Sequence, residues 1–158
     1  MIVIDIHSTH LQSLDTGEWI LVTAAVGGVG IAAVQIAKAL GAKVIAAVGS
    51  DEKMEIAKKY GGADHCINYS KKGWQNDVLA ITHGKGVDVV YDPVGLINGE
   101  FPAIRSACPL NDALESLKCI AWKGRLLVVG FAAGTIEKVW STMKDTSCYL
   151  TTSPLRFL

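Results

Sequence analysis

Closely spaced cysteines, a net charge and a basic leader are all missing from this chain, and each absence narrows what it can be. The four cysteines are Cys66, Cys108, Cys119 and Cys148, and none stands two to four residues from another. That excludes a zinc-ribbon or Cys-x-x-Cys signature. An even count permits disulfides, but a chain that is 50% hydrophobic can build a core without them, so free thiols are expected. Lys plus Arg is 15 and Asp plus Glu is 15, for a formal net charge of zero. Such a chain has no electrostatic footprint for nucleic acid or an anionic membrane, and neither is an expected partner. The opening MIVIDIHSTH has no arginine and no basic n-region. Neither a secretory leader nor a transit peptide is expected, and the expected location is cytoplasmic.

Charge is also absent from Trp19 to Ala37. That run has the length of a membrane span, but Gly27, Gly28 and Gly30 stand in its middle, with Thr23 and Gln35 inside it. A strand, a glycine turn and a buried helix account for it better than a span. Proline is scarce, with 4 residues against 16 glycines, so the placement of glycine carries most of the local information. At 158 residues the chain has room for one domain and little more.

What is present alternates. Trp19 to Ala24 reads as a buried strand and Gly28 to Leu40 as a helix stopped by Gly41. Lys43 to Val48 is a second strand. Asp51 to Tyr60 is a charged helix, capped by Ser50 and closed by Gly61 and Gly62. His65 to Ile67 is a third strand, Trp74 to Thr82 a helix, and Val87 to Asp92 a fourth strand stopped by Pro93. Asp112 to Trp122 reads as a helix and Arg125 to Gly130 as a fifth strand. Strands alternating with helices imply βαβ units, hence an α/β fold with a Rossmann-type, doubly wound parallel sheet. The expected order is 3-2-1-4-5, with the sixth strand missing and the edge beside Arg125–Gly130 unpaired. Residues 99–111 read as an irregular insertion and 140–158 as an atypical, poorly structured tail. The expected domain is therefore 1–139.

The first strand runs into Ala25-Val26-Gly27-Gly28-Val29-Gly30 and then a helix. This is the dinucleotide fingerprint with Ala in its first position. A glycine in the middle lets the backbone approach a pyrophosphate, Gly30 lets the helix pack closely on the strand, and the free N–H groups at the helix start hold phosphates. An NAD site places an acid at the end of the second strand, where it accepts from the ribose hydroxyls. Here Gly49 and Ser50 stand at that point, with Lys53 one helical turn along. A small residue, a hydroxyl and an ammonium suit a 2′-phosphate, so NADPH is expected in preference to NADH. Asp51 is the counter-signal, and in the first helical turn it is expected to face solvent. The bland alternative makes Ser50 a helix cap and Lys53 a solvated side chain. A short-chain dehydrogenase would need Tyr-x-x-x-Lys, and the residues four beyond Tyr60, Tyr69, Tyr91 and Tyr149 are Asp64, Gly73, Gly95 and Ser153.

The segments AAVGGVGIAAVQIAKALGAKVIAAVGSDEK, GGADHCINYS, GKGVDVVYDPVG and KGRLLVVGFAAG, in that order, resemble the zinc-free, zeta-crystallin-like quinone oxidoreductase branch of the medium-chain dehydrogenases/reductases. The resemblance covers roughly Leu14 to Lys138. It implies the NADPH-binding domain of an enzyme that transfers hydride to quinones or α,β-unsaturated carbonyls. It further implies that Ala25, Gly27, Gly28, Val29 and Gly30 hold the pyrophosphate, and that Ser50, Lys53 and Tyr69 hold the 2′-phosphate and adenosine ribose. Val94, Gly95 and Phe131 would line the nicotinamide end. No metal is expected, and His7, His10, His65 and His83 are read as structural or exposed. Family members carry a GroES-like catalytic domain ahead of this fold. The chain is accordingly expected to be truncated, with little activity by itself and no catalytic residue of its own. The alternative is a dinucleotide-binding module without turnover. Leu96-Ile97-Asn98 would join naturally to Asp112-Ala113-Leu114, so 99–111 and the tail have the look of retained intron or out-of-frame sequence.

Overall fold

A computed structural model describes residues 14–94, 116–129 and 149–152. Its elements are β1 (Trp19–Val22), α1 (Gly28–Ala39), β2 (Lys43–Val48), α2 (Asp51–Ile56), a π turn (Ala57–Gly61), β3 (His65–Asn68), α3 (Trp74–Ile81), β4 (Val87–Asp92), a 3-10 turn (Leu117–Cys119), β5 (Ile120–Val128) and β6 (Tyr149–Thr152). The strands form one sheet in the order β3-β2-β1-β4-β5-β6, and every pairing is parallel. The expected 3-2-1-4-5 order and the α/β class are both found.

Alternation explains why strands this apolar form here. Along β1 and β2, Ile20, Val22, Val44, Ala46 and Val48 face one side, with Ala33, Val34 and Ala37 of α1. Leu21, Ile45 and Ala47 face the other, with Trp74 and Val78 of α3. A parallel sheet covered on both faces needs apolar residues at successive positions. The small residues of α1 bring its axis close to the sheet. Tyr91 is fully buried within the first group, and burial pushes its phenol well above the ordinary range.

Two expectations are corrected. The helix read over Asp112 to Trp122 does not extend through its last residues, because Ile120–Trp122 already belong to β5. Leu117, Ile120 and Ala121 mimic helical spacing, but the chain there is a strand bent at Lys123, whose φ is 62°. The ladder shifts register at this bend: Val87 faces Ile120, and Val89 faces Arg125. Residues 112–115 lie outside the described residues. The sixth strand is also present. Tyr149–Thr152 pairs with β5 from Arg125↔Tyr149 to Val128↔Thr152, so the edge beside Arg125 is paired. Its four residues are β-prone Tyr, Leu and Thr, and pairing through the backbone needs no longer apolar run. The 99–111 insertion, the boundary at 139 and the rest of the tail lie outside the described residues.

Asp64 ties three elements together. It accepts from Lys38 Nζ of α1 at 2.7 and 2.9 Å and from the Val44 backbone N–H of β2 at 2.7 Å. Burial alone would raise its carboxyl. The bonds from Lys38 and Val44, with the Lys38 charge and a smaller contribution from His65, outweigh that and hold it below the usual carboxylate range. A depressed folded pKa means stabilisation that is present above the unfolded value and lost as pH falls through the folded one. About a third of each partner is exposed, so solvent screens the pair. We expect Asp64→Ala to cost about 1–2 kcal/mol at neutral pH. The gap to the unaltered protein should begin to narrow as pH falls below about 3.8 and go on narrowing through the lower folded value, as read by urea denaturation at neutral pH and at acid pH.

Candidate functional site

The order of strands puts β1 between β2 and β4, so successive connections leave β1 in opposite directions. In open α/β sheets ligands bind at the carboxyl ends of the strands beside this switch point. Here that edge carries the glycine turn after β1, the Gly49–Asp51 turn after β2, the Asn68–Lys71 segment after β3, and Pro93–Val94 after β4.

Ala24 begins the glycine turn with φ of 47°. The Ala25 N–H donates to Ala47 O at 3.1 Å, and Ala25 is fully buried. Gly27 is the N-cap of α1; no side chain caps this end, and no acid stands in its first turn. The glycines that follow have opposite surroundings. A Cβ on Gly30 would stand 2.3 Å from Ala24 O and 2.9 Å from Ala25 Cα, whereas one on Gly28 would meet nothing within 4 Å. Gly30 thus fixes how closely α1 approaches β1, and Gly28 leaves the mouth of the helix open to solvent. An uncapped helix start with open space beside Gly28 suits a pyrophosphate.

The 2′-phosphate candidates gather around β2 and β3. A Cβ on Gly49 would stand 3.3 Å from the Tyr69 hydroxyl oxygen, so Gly49 is what lets this ring lie over the turn. Tyr69 is buried, 9% exposed, within the group that includes Trp74 and Val78, which sets aside a free surface aromatic. Ser50 is the residue before α2 but makes no side-chain cap. Lys53 is exposed and makes no ion pair among the described residues. Asp51 is exposed as expected, but its carboxylate does not simply face solvent: it accepts from Asn68 Nδ2 at 2.9 Å and pairs with Lys71 at 3.0 Å.

Two residues that sequence reasoning passed over, Asp92 and Thr23, meet at the carboxyl end of β4 beside Val94. Asp92 ends β4 and is 5% exposed. Its carboxylate accepts from Thr23 Oγ1 at 3.2 Å and from the Val94 backbone N–H at 2.9 Å. The backbone carbonyl of Asp92 accepts from the Val129 N–H at 2.9 Å. Asp92 therefore ties the ends of β1, β4 and β5 and fixes Val94. A carboxylate closing an apolar strand just before Pro93 was the available signal. Gly95 and Phe131 lie outside the described residues.

Residues 28–153 match the zinc-binding dehydrogenase family. The chain belongs to that family. Its relatives place it in the quinone oxidoreductase branch of the medium-chain dehydrogenases/reductases, over the nucleotide-binding part. Quinone oxidoreductase-like protein 2 of Bos taurus is 41% identical over 131 residues, which is 82% of this chain and 33% of that protein. The solved quinone oxidoreductase of Pseudomonas syringae pv. Tomato DC3000 superposes with a TM-score of 0.79 at 35% identity, over 97% of this chain and 44% of that one. Escherichia coli quinone oxidoreductase complexed with NADPH superposes with a TM-score of 0.74 at 31% identity, over 94% of this chain and 42% of that one. The chain thus spans about a third of the length of the curated relatives it matches. The family match passes through 99–111 and continues beyond Lys138 to take in β6.

The family's name implies zinc, and the described residues do not fit one. No group of three or more His, Cys, Asp or Glu among them could hold a metal ion. Cys66 donates to Met54 O at 3.5 Å, and burial pushes its thiol up, away from the thiolate a metal needs. Cys119 is buried and donates to Ser116 O. Both are free thiols, and Cys108 and Cys148 lie outside the described residues. Of the histidines, His65 and His83 are exposed. Among the described residues no helix is long and apolar enough to cross a membrane, and the uncharged run is β1, the glycine turn and α1.

Proposed function

We propose that this chain is the NADPH-binding part of an oxidoreductase that reduces quinones or α,β-unsaturated carbonyls. The observation that carries the reading is the pair of opposite glycines: Gly30 locked against Ala24, and Gly28 open over the uncapped start of α1. Ala25, Gly27, Gly28, Val29 and Gly30 would hold the pyrophosphate, with backbone N–H groups as donors. Ser50, Lys53 and Tyr69 would take the 2′-phosphate and adenosine ribose, and Val94, fixed by Asp92, the nicotinamide ribose. NADPH supplies a hydride for the electron-poor end of a conjugated carbonyl. The solved relatives include a quinone oxidoreductase complexed with NADPH, which supports the choice of cofactor.

Lys53→Ala tests the phosphate assignment. It should weaken NADPH binding by about 1–2 kcal/mol, the scale of a charge-assisted contact, and leave NADH nearly unchanged. Fluorescence titration of both cofactors measures this, and equal losses would defeat the assignment. For the 158-residue chain by itself we expect cofactor binding with negligible quinone turnover. Holding an acceptor in line with the nicotinamide is worth roughly 7–11 kcal/mol, and on this reading the sheet edge would supply only one side of the acceptor site. Steady-state oxidation of NADPH with a small quinone checks it; turnover approaching that of a full-length relative would refute it.

A further inference from the structure

β2 is followed by Gly49 rather than an acid, yet Asp51 stands two residues further on, on the side where a 2′-phosphate would sit. A free carboxylate there would repel a phosphate dianion and would accept from ribose hydroxyls, favouring NADH. We propose that Lys71, together with Asn68, makes this site compatible with a 2′-phosphate by engaging Asp51, and is a determinant of cofactor preference that acts through Asp51 rather than on the ligand. The inference rests on the dinucleotide reading above.

The segment after β3 is built to hold that arrangement. The Tyr69 N–H donates to Val48 O at 3.0 Å. The Ser70 hydroxyl donates to Gly49 O at 2.7 Å, and the Ser70 N–H to Asn68 Oδ1 at 2.9 Å. The Lys71 N–H closes a turn onto Asn68 O at 3.2 Å. Residues 68–71 are thereby fastened to the β2–α2 turn by backbone and side chain. Asn68 Nδ2 and Lys71 Nζ both reach Asp51 Oδ1, at 2.9 and 3.0 Å. The bond from Asn68, then that from Lys71, lowers the Asp51 carboxyl below its usual range, so it is ionised and partnered at neutral pH.

An ion pair this exposed, 61% for Lys71 and 65% for Asp51, adds little to folding. The alternative is a solvated surface pair with no bearing on ligands.

The test uses the full chain, with NADPH and NADH titrated by fluorescence into the unaltered protein, Lys71→Ala, Asp51→Asn and the double variant. Lys71→Ala should weaken NADPH about fivefold and NADH less than about twofold, the upper end for one charge interaction at an exposed site. Adding Asp51→Asn should restore most of that loss, since the uncompensated carboxylate is then gone. Thermal unfolding of all four should coincide closely. Equal losses for both cofactors, or failure of Asp51→Asn to rescue, would overturn the assignment. If the unaltered chain prefers NADPH and Lys71→Ala keeps the same preference, only this inference fails. If the unaltered chain binds neither cofactor, the dinucleotide reading fails with it.

Discussion

Gly28→Val should abolish NADPH binding, weakening it by about 100-fold or more, which is about 2.7 kcal/mol, while the protein stays folded. A Cβ at Gly28 meets no protein atom within 4 Å. The residue lies at the exposed first turn of α1, where replacing glycine by valine does not lower helix propensity. The protein therefore has room for valine. The open space it would fill is the space assigned to the pyrophosphate, and its branches would cover the N–H groups that are the proposed donors. Isothermal titration with NADPH, alongside circular dichroism and thermal unfolding, separates the two effects. Wild-type affinity in a folded Gly28→Val protein would move the phosphate site elsewhere.

Two positions along, the same kind of change should have the opposite result. Gly30→Ala is expected to destabilise the fold by about 3 kcal/mol, at the upper end of overpacking costs. Its Cβ would stand 2.3 Å from Ala24 O and 2.9 Å from Ala24 C and Ala25 Cα. All three are backbone atoms, so no side chain can rotate away. Ala24 is already at φ of 47° and Ala25 is bonded to Ala47 O, so the turn cannot retreat without breaking its attachment to β2. The gain of about 1 kcal/mol in helix propensity from Gly to Ala offsets only part of this. Urea denaturation reads the loss. A Gly30→Ala protein as stable as the unaltered one would mean that α1 can tilt away from β1, and that Gly30 does not set their approach.

These glycines show where the sequence was informative. The fingerprint sits between a strand and a helix, and a short turn determines its own geometry from local residues alone. The same is true of Lys43–Val48 and Val87–Asp92, whose apolar runs end at glycine and at proline and whose bounds match the folded strands. Where the outcome depends on partners distant in sequence, the reading failed. Ile120–Trp122 carry helical spacing, yet pairing with β4 makes them strand. Tyr149–Thr152 carry no apolar run, yet β5 offers a backbone edge. Asp92 with Thr23 is separated by 69 residues and Asp51 with Asn68 by 17. Both contacts exist because parallel strands bring their carboxyl ends to one edge, and no local pattern announces such a meeting. Lys53 is a phosphate candidate from its place one helical turn past the second strand, and Tyr69 from family resemblance. Lys71 carries no such signal, because its proposed role depends on where a neighbouring carboxylate turns.

The central claim is that the carboxyl edge of this sheet takes a dinucleotide bearing a 2′-phosphate. The most direct measurement is competitive titration of NADPH, NADH and 2′,5′-ADP against the unaltered chain by intrinsic tryptophan fluorescence. NADPH should bind saturably and more tightly than NADH, with 2′,5′-ADP competing for the same site. Absence of saturable binding, or NADH bound more tightly than NADPH, would contradict it.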